Sequence, residues 1–245
     1  MNVNIVTERG DWILNRCARE LAERLPNVTV NGTGDVTYYM PAYSWCKPAQ
    51  IRPGSIGFWT HPTEARLDAY HDRFVANVAM NVTVAAQLAE RGAHVTVIRP
   101  GVSVPTRRIT FGVVGRTYAS KRKGEDKIAA LVGDGHSVIA RGEGWPCPAM
   151  PLVLDELPAF YRSIDYLLVT STEEGGPMPV LDAIAQGVPV IAPNVGWCWE
   201  FPCIGYDGSL SDLRRVVTAL TNPPTWDQWA SDHARLFAEI AERAA

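Results

Sequence analysis

Two stretches of the sequence place charged side chains where an anionic, hydroxyl-bearing ligand could use them. The first, GVVGRTYASKRKGED at 112–126, follows an apolar strand-like run and places Arg116, Lys121, Arg122 and Lys123 within eight positions. Arginine can donate two parallel hydrogen bonds to phosphate oxygens, and lysine supplies a compact positive charge. This loop therefore predicts a diphosphate site, with a solvated basic loop as the alternative interpretation.

The second stretch, TSTEEGGPMPVLDAIAQGVPVIAPNVG at 170–196, combines carboxylates with glycines ahead of a helix. Ionised carboxylates only accept hydrogen bonds, so Glu174 and Asp182 suit sugar hydroxyls, which donate. Gly175 and Gly176 let a ligand approach the backbone N–H groups, and a helix N-terminus attracts anions. The alternative is that the carboxylates only compensate the helix dipole. We interpret Glu173 as a solvated neighbour.

The rest of the chain alternates short apolar strands with amphipathic helices, which is typical of parallel α/β architecture. We expect strands at 3–7, 28–32, 36–40, 56–60, 93–101, 109–115, 136–142, 165–171 and 188–192. We expect helices at 11–25, within 73–92, and at 125–132, 157–164, 179–186, 211–221 and 225–244. A break near residue 104 predicts two Rossmann-like halves, with ligands bound beyond the carboxyl ends of the strands and in the cleft between the halves.

Composition excludes several other classes of protein. The net charge is −3 and the pI about 6.0, so no overall positive field favours nucleic acid. The N-terminal residues lack the pattern of a signal peptide and no apolar run could span a membrane, which predicts a cytoplasmic protein. The five cysteines form no C-x-x-C pair and no cluster with histidine, which indicates reduced thiols and no zinc site.

The C-terminal helix carries an apolar stripe of Trp226, Trp229, His233, Phe237 and Ile240. Residues at these helical spacings share one face, so the stripe predicts core packing. We interpret His233 as a packed histidine and not as a ligand.

The segment STEEGGPMPVLDAIAQGVPVIAPNVG resembles the signature of retaining glycosyltransferases of the GT-B fold, family four, also called glycosyl transferases group 1. Two acidic residues separated by seven others are typical of that signature, and Glu174 and Asp182 have this spacing. The similarity extends over about residues 56–206, including FGVVGRTYASKRKGED, VIARGEGWP and IGFWTHPTE. It is most specific over 109–196.

The resemblance implies a role for each matching position on the donor side. Arg116 would contact the diphosphate together with Lys121 or Lys123, because an apparent two-residue insertion leaves the lysine open. The backbone at Gly175, Gly176 and Met178 would offer N–H groups to sugar and phosphate. Glu174 would hold the hydroxyls of the transferred sugar or assist the departing phosphate, and Asp182 would bind the ribose. The catalytic set would be Glu174, Arg116 and His61, the last facing the sugar from the other half. Gly10 would be a loop glycine near donor or acceptor.

The resemblance also implies domains and an activity. Residues 1–104 would be a reduced acceptor lobe, residues 105–225 the donor lobe, and residues 226–245 a helix packing back toward the first lobe. The chain would transfer a hexose-like sugar from a UDP- or GDP-sugar to a hydroxyl with retention, without metal or cofactor. Three departures stand out: Asp182 replaces the usual glutamate, RPGV replaces PNGV, and the first half is small.

Three alternatives stay open at this point. The acceptor could be a saccharide, a lipid-linked or small molecule, or a modified DNA base, as in compact glycosyltransferases of phages. A nucleotide-sugar epimerase could use a similar pair of lobes. A non-catalytic module that binds sugar nucleotides would keep the same ligand contacts without turnover.

Overall fold

The computed structural model of the 245-residue chain describes residues 1–8, 12–103 and 107–244. The chain divides into two compact units. The first comprises Met1–Val104 and Pro223–Ala245, and the second Pro105–Asn222. Each unit is built on its own parallel sheet.

The first unit contains a six-stranded sheet in the order β2-β1-β3-β4-β5-β6. Its strands are β1 Val3–Thr7, β2 Val28–Val30, β3 Val36–Met40, β4 Ile56–Trp59, β5 Ala76–Ala79 and β6 Val95–Val97. All the pairings are parallel. The helices of this unit are α1 Ile13–Arg24, α2 Glu64–Tyr70, α3 Val82–Glu90 and α8 Trp226–Ala244.

The two faces of this sheet have different cores. On one face, alternate strand residues such as Ile5, Tyr38 and Phe58 are buried with α1 and with Trp229 of α8. On the other face, Trp59 packs with residues of α2 and α3 over the β4 to β6 half. Helix α1 forms because Leu14, Cys17, Ala18 and Leu21 recur at helical spacing and are all buried.

The second unit also contains a six-stranded parallel sheet, in the order β12-β11-β10-β7-β8-β9. Its strands are β7 Thr110–Val114, β8 Ser137–Arg141, β9 Ala149–Met150, β10 Tyr166–Leu168, β11 Val190–Pro193 and β12 Ile204–Tyr206. Its helices are α4 Glu125–Gly133, α5 Leu157–Ser163, α6 Met178–Ala185 and α7 Leu210–Thr221. Counted within this unit, the strands have the Rossmann order 3-2-1-4-5-6, which reverses between β7 and β10. Ligands of such sheets bind beyond the carboxyl ends of the strands at this switch point.

The parallel α/β fold class and the two Rossmann-like sheets are confirmed. The expected strands and helices are present with shifts of a few residues at their ends, whereas α2, β5, β9 and β12 were not foreseen. Strand β5 was missed because Asn77 interrupts its apolar pattern. This amide is buried and accepts a hydrogen bond from Trp59 Nε1 at 2.8 Å, so a polar residue fits the interior. A cleft between two facing halves stays a prediction.

None of the helices among the described residues is long and apolar enough to cross a bilayer. All five cysteines are free thiols, and burial is the main cause that raises the pKa of Cys17 and Cys198 to about 11. Such thiols are poor nucleophiles near neutral pH.

Candidate functional site

The two charged stretches meet at the switch point of the second sheet. The basic loop, residues 115–124, follows β7, and the acidic loop, residues 169–177, follows β10. Because β7 and β10 are parallel neighbours, both loops leave the same edge of the sheet. The sheet order therefore brings together side chains that are about fifty residues apart in sequence.

Backbone contacts hold the two loops against each other. Thr170 Oγ1 donates to the carbonyl of Lys123 at 2.7 Å, and the N–H of Thr172 donates to the carbonyl of Arg122 at 2.9 Å. Gly124 has a φ of 71°, and a Cβ there would lie 2.2 Å from the carbonyl oxygen of Thr170. Only glycine permits the backbone at position 124 to approach Thr170 this closely, so this glycine allows the basic loop to pack against the acidic loop.

The ammonium group of Lys123 forms an ion pair with Glu174 Oε1. The hydroxyl of Ser171 donates to the same oxygen at 2.7 Å, and Arg122 Nη1 lies 3.8 Å from Glu174 Oε2. The side chains of Glu174 and Lys123 are only 9% and 16% exposed. Partial burial strengthens the attraction between these charges, so the pair is held in place at the end of β10.

Tyr118 lies between the two arginines of the basic loop. The guanidinium of Arg116 is 5.2 Å from the centre of its ring, and that of Arg122 is 4.4 Å away. Hydrogen bonds from Arg116 and then Arg122 lower the pKa of Tyr118 from its ordinary value. The tyrosine ring thus brings two guanidinium groups close together through cation–π contacts. Sequence reasoning missed this residue, although an aromatic residue between two arginines is the signal that would have found it.

The start of α6 presents unpaired backbone donors. Among the described residues, the N–H groups of Gly175 and Gly176 have no hydrogen-bond partner, and Met178 is the first helical residue, whose N–H has none within the helix. Pro177 and Pro179 cannot donate. Trp197 supports this loop, since its ring lies where a side chain at position 176 would be. The helix begins at Met178, one residue before the expected Pro179, and ends at Gln186 and Gly187 as expected.

Asp182 is the fifth residue of α6 and is half-buried beside α5. Burial, with a smaller contribution from Asp182, raises the pKa of the Tyr161 hydroxyl. Within the part of the chain that the structure describes, no hydrogen bond or ion pair joins Asp182 to Lys123 or Glu174. The two acidic residues of the signature therefore occupy separate positions along this edge.

The two candidate lysines have different surroundings. Lys121 is exposed, has a left-handed φ of 55°, and uses its backbone to close a turn with Tyr118 and Gly124. Lys123 directs its ammonium group to Glu174. These contacts bring Lys123 to the acidic loop and leave the Lys121 side chain in solvent.

Two further expected site residues belong to the first unit. His61 lies just beyond β4 with an exposed side chain, and its backbone N–H donates to the hydroxyl of Tyr43 at 3.3 Å. Gly10 lies outside the described residues. No cluster of three or more His, Cys, Asp or Glu side chains that could hold a metal ion occurs in residues 1–8, 12–103 and 107–244.

The second unit is thus a Rossmann-ordered α/β domain with basic side chains beside a carboxylate at its switch point. Residues 105–222, the same residues as the second unit, match the family model described as glycosyl transferases group 1. This match covers just under half of the chain.

One curated relative is similar over part of the chain. The chain is 30% identical over 91 residues to a protein of Methanocaldococcus jannaschii described as an uncharacterized glycosyltransferase. The alignment covers 35% of this chain and 26% of that protein, so the chain matches about a quarter of its relative's length.

Solved structures of two glycosyl-group enzymes align with most of the chain. Sucrose-phosphate synthase from Thermosynechococcus elongatus is 11% identical, with 99% of each chain covered and a TM-score of 0.42. A lipopolysaccharide outer core galactosyltransferase is 12% identical, with 94% of each chain covered and a TM-score of 0.39. Both TM-scores are below 0.5, so the fold is defined here by the two sheets of this chain itself.

Proposed function

We propose that the chain is a retaining glycosyltransferase that moves a sugar from a UDP- or GDP-sugar to an acceptor hydroxyl. One observation carries the proposal: within the residues that match glycosyl transferases group 1, the Lys123–Glu174 pair lies beside the cluster of Arg116, Tyr118 and Arg122. Cations and a carboxylate side by side suit a ligand that has a diphosphate next to sugar hydroxyls.

The diphosphate would bind to the basic loop. Arg116 and Lys123 supply the positive charge, and the N–H groups of Gly175, Gly176 and Met178 supply donors that need no side-chain movement. We assign the diphosphate lysine to Lys123 and not to Lys121, because only Lys123 directs its ammonium group to the acidic loop. The phosphate replaces Glu174 as the partner of Lys123 when the donor binds.

Glu174 would then accept hydrogen bonds from the hydroxyls of the transferred sugar. Asp182 would bind the ribose from farther along α6, where its side chain is one methylene shorter than the usual glutamate. The roles that the signature implies for His61, toward the sugar, and for Gly10 stay predictions. These roles follow the family signature residue by residue.

The reaction would break the bond between the anomeric carbon and the diphosphate oxygen and form a bond from that carbon to the acceptor oxygen on the same face. The acceptor proton passes to the departing phosphate oxygen. Arg116 and Lys123 stabilise the negative charge that develops on the diphosphate, which is the main catalytic contribution. Because the chain's own cations supply this charge, we expect the transfer to proceed in the presence of EDTA.

Thermal unfolding in the presence of UDP-glucose, UDP-galactose, UDP-N-acetylglucosamine, GDP-mannose and GDP-fucose tests the donor. We expect at least one to raise Tm, because a ligand that binds only the folded state stabilises it. Release of the nucleoside diphosphate is then measured with saccharide, lipid-linked and small-molecule acceptors and with DNA that contains hydroxymethylated bases. The proposal would be overturned if no donor raised Tm and no donor–acceptor pair released the nucleoside diphosphate.

Product analysis separates the enzymatic alternatives. A retaining transferase gives a product with the anomeric configuration of the donor, which NMR coupling constants report. An epimerase would instead convert the donor to an isomeric nucleotide-sugar without any acceptor. A module that only binds would raise Tm without release.

A further inference from the structure

The first unit contains a cavity of about 700 Å³ on one face of its sheet. Asn4 and Val6 of β1 and Thr37 and Tyr39 of β3 line its floor. The helices α1 and α8 pack on the opposite face, and α2 and α3 pack farther along this face, over β4 to β6. The chain passes from β2 to β3 in the short loop 31–35, without a helix that would fill this space.

The floor carries polar side chains at strand positions that would ordinarily be apolar. Asn4 and Thr37 are partners in register on β1 and β3, and each is only 6% exposed. Strands of parallel sheets that are covered on both faces are near-continuous apolar runs. Asn4 holds the loop 31–35 through the N–H of Gly32, whereas the Thr37 hydroxyl makes no hydrogen bond within the described residues.

Their free polar atoms belong to the cavity wall. Asn4 Oδ1 accepts a hydrogen bond from the N–H of Gly32 at 2.8 Å, which fixes the amide orientation and leaves its Nδ2 as a free donor. Within the described residues, neither Asn4 Nδ2 nor Thr37 Oγ1 forms a hydrogen bond with another protein group. Both side chains line the cavity. The cavity wall therefore carries the Asn4 NH2 group, which can donate, next to the Thr37 hydroxyl, which can donate and accept.

The remaining walls add aromatic surface and few charges. The rings of Tyr39 and Trp45 lie 5.9 Å apart, and Trp45 Nε1 is buried without a partner. Among the described residues that line the cavity, Arg52 is the single cation and none carries a carboxylate. A polyphosphate would need more positive charge and a cation would need acidic groups. The lining instead favours an uncharged ligand.

We propose that this cavity binds a saccharide. A sugar ring presents C–H bonds on its faces, which pack on the electron-rich faces of aromatic rings, and hydroxyls at its edge, which pair with amide and hydroxyl side chains. The volume lies in the range of small-molecule sites. The proposal depends on the lining alone and not on the transfer reaction proposed above.

Fluorine NMR of protein labelled with 5-fluorotryptophan tests the proposal, with Trp45→Phe identifying the resonance of Trp45. The probes are the methyl glycosides of glucose, galactose, mannose and N-acetylglucosamine. We expect at least one to shift this resonance saturably. Thr37→Val keeps the side-chain volume and removes the hydroxyl, so we expect it to weaken binding at least about tenfold, which corresponds to about 1.4 kcal/mol. Thr96→Val on β6, outside the cavity, is the matched control and should leave binding unchanged.

Stability is measured in parallel. Since the Thr37 hydroxyl has no described partner, Thr37→Val should keep or raise Tm. If that variant fails to fold, Arg52→Ala, at an exposed position of the rim, takes its place in the titration. The absence of a saturable shift with all four glycosides, or equal binding by the substituted and wild-type cavities, would overturn the proposal. No donor is present in this assay, so its outcome is separate from that of the transfer assays.

Discussion

At the scale of single residues, the central feature is the pairing of Glu174 with Lys123 and Ser171. The spacing of Glu174 and Asp182 could be read from the sequence, because a helix and its leading loop fix it. The choice between Lys121 and Lys123 could not, since it depends on the direction of two side chains on a folded loop. Tyr118 was missed for the same reason: its ring matters only because Arg116 and Arg122 lie on it.

The role of Glu174 is tested by comparing its alanine variant with that of the adjacent residue Glu173. We expect Glu174→Ala to lower kcat/KM by at least about 100-fold, the scale of losing one electrostatic contact to the transition state. Glu173→Ala is the control, because Glu173 is exposed and, within the described residues, its side chain has no hydrogen-bond partner; its backbone carbonyl accepts a hydrogen bond from Arg122 Nη1 at 3.2 Å. Steady-state kinetics with the identified donor gives the comparison. Equal rates for Glu174→Ala and the wild type would contradict the site assignment.

The two lysines allow a second matched test. We expect Lys123→Ala to weaken donor binding about tenfold or more, because a charged hydrogen bond contributes about 1.5–3 kcal/mol. Lys121→Ala should change the affinity by less than about twofold, since an exposed charge in water contributes little. Titration calorimetry with the nucleoside diphosphate measures both. The reverse order of effects would assign the diphosphate to Lys121.

At the scale of elements, the site depends on the order of the strands and on two glycine-containing loops. The alternation of strands and helices predicted a parallel sheet, and glycine next to proline predicted a loop ahead of α6. The contact of Trp197 with Gly176 was beyond prediction, because these residues follow different strands and meet only where β10 and β11 are neighbours.

Gly175 and Gly176 should respond differently to an added methyl group. A Cβ at position 176 would lie 2.6 Å from the Trp197 ring, so we expect Gly176→Ala to lower the free energy of unfolding by about 1–3 kcal/mol. A Cβ at position 175 meets no atom within 4 Å. Gly175→Ala should therefore leave the unliganded protein as stable as the wild type, or stabilise it by up to about 1 kcal/mol. Urea unfolding of both variants provides the measurement, and equal stabilities would show that Trp197 does not constrain the loop.

At the scale of the whole molecule, the chain forms most of the first unit, then the second, and returns to complete the first. Helix α8 contributes Trp226, Trp229, Phe237 and Ile240 to the core on the sheet of the first unit. His233 is fully buried there, with Nε2 3.0 Å from the hydroxyl of Tyr38 and Nδ1 2.8 Å from the carbonyl of Trp229. The carbonyl can only accept, so Nδ1 carries the proton and Nε2 accepts from Tyr38. The interpretation of His233 as a packed histidine is confirmed.

Burial makes His233 a source of pH-dependent stability. Loss of solvent is the main cause that lowers its pKa to about 4, below the ordinary value near 6.5, with small opposing effects from Trp229 and Asp232. Between these two pH values, the His233 side chain binds a proton in the unfolded chain but not in the folded chain. Its contribution to the free energy of unfolding is therefore fully present above about pH 6.5 and is lost as the pH falls toward about 4. From about pH 7.5 to about pH 5, this residue should reduce the free energy of unfolding by about 2 kcal/mol.

Urea unfolding at both pH values measures this effect. His233→Gln can donate and accept similar hydrogen bonds but does not titrate, so we expect its stability to fall less than that of the wild type over this range. His61→Gln, at an exposed position, is the control for replacing a histidine by glutamine. An unchanged pH dependence in His233→Gln would assign the effect to other groups.

The sequence by itself determined the parallel α/β class, the apolar stripe of α8 and the acidic signature. These features are local: periodicity, loop composition and spacing along one helix are written in neighbouring residues. Tertiary structure alone decided which lysine meets Glu174, how Tyr118 holds two arginines, and that Asn4 and Thr37 share one cavity. Those facts follow from strand order and register, which bring distant residues together and cannot be read from their separation in the chain.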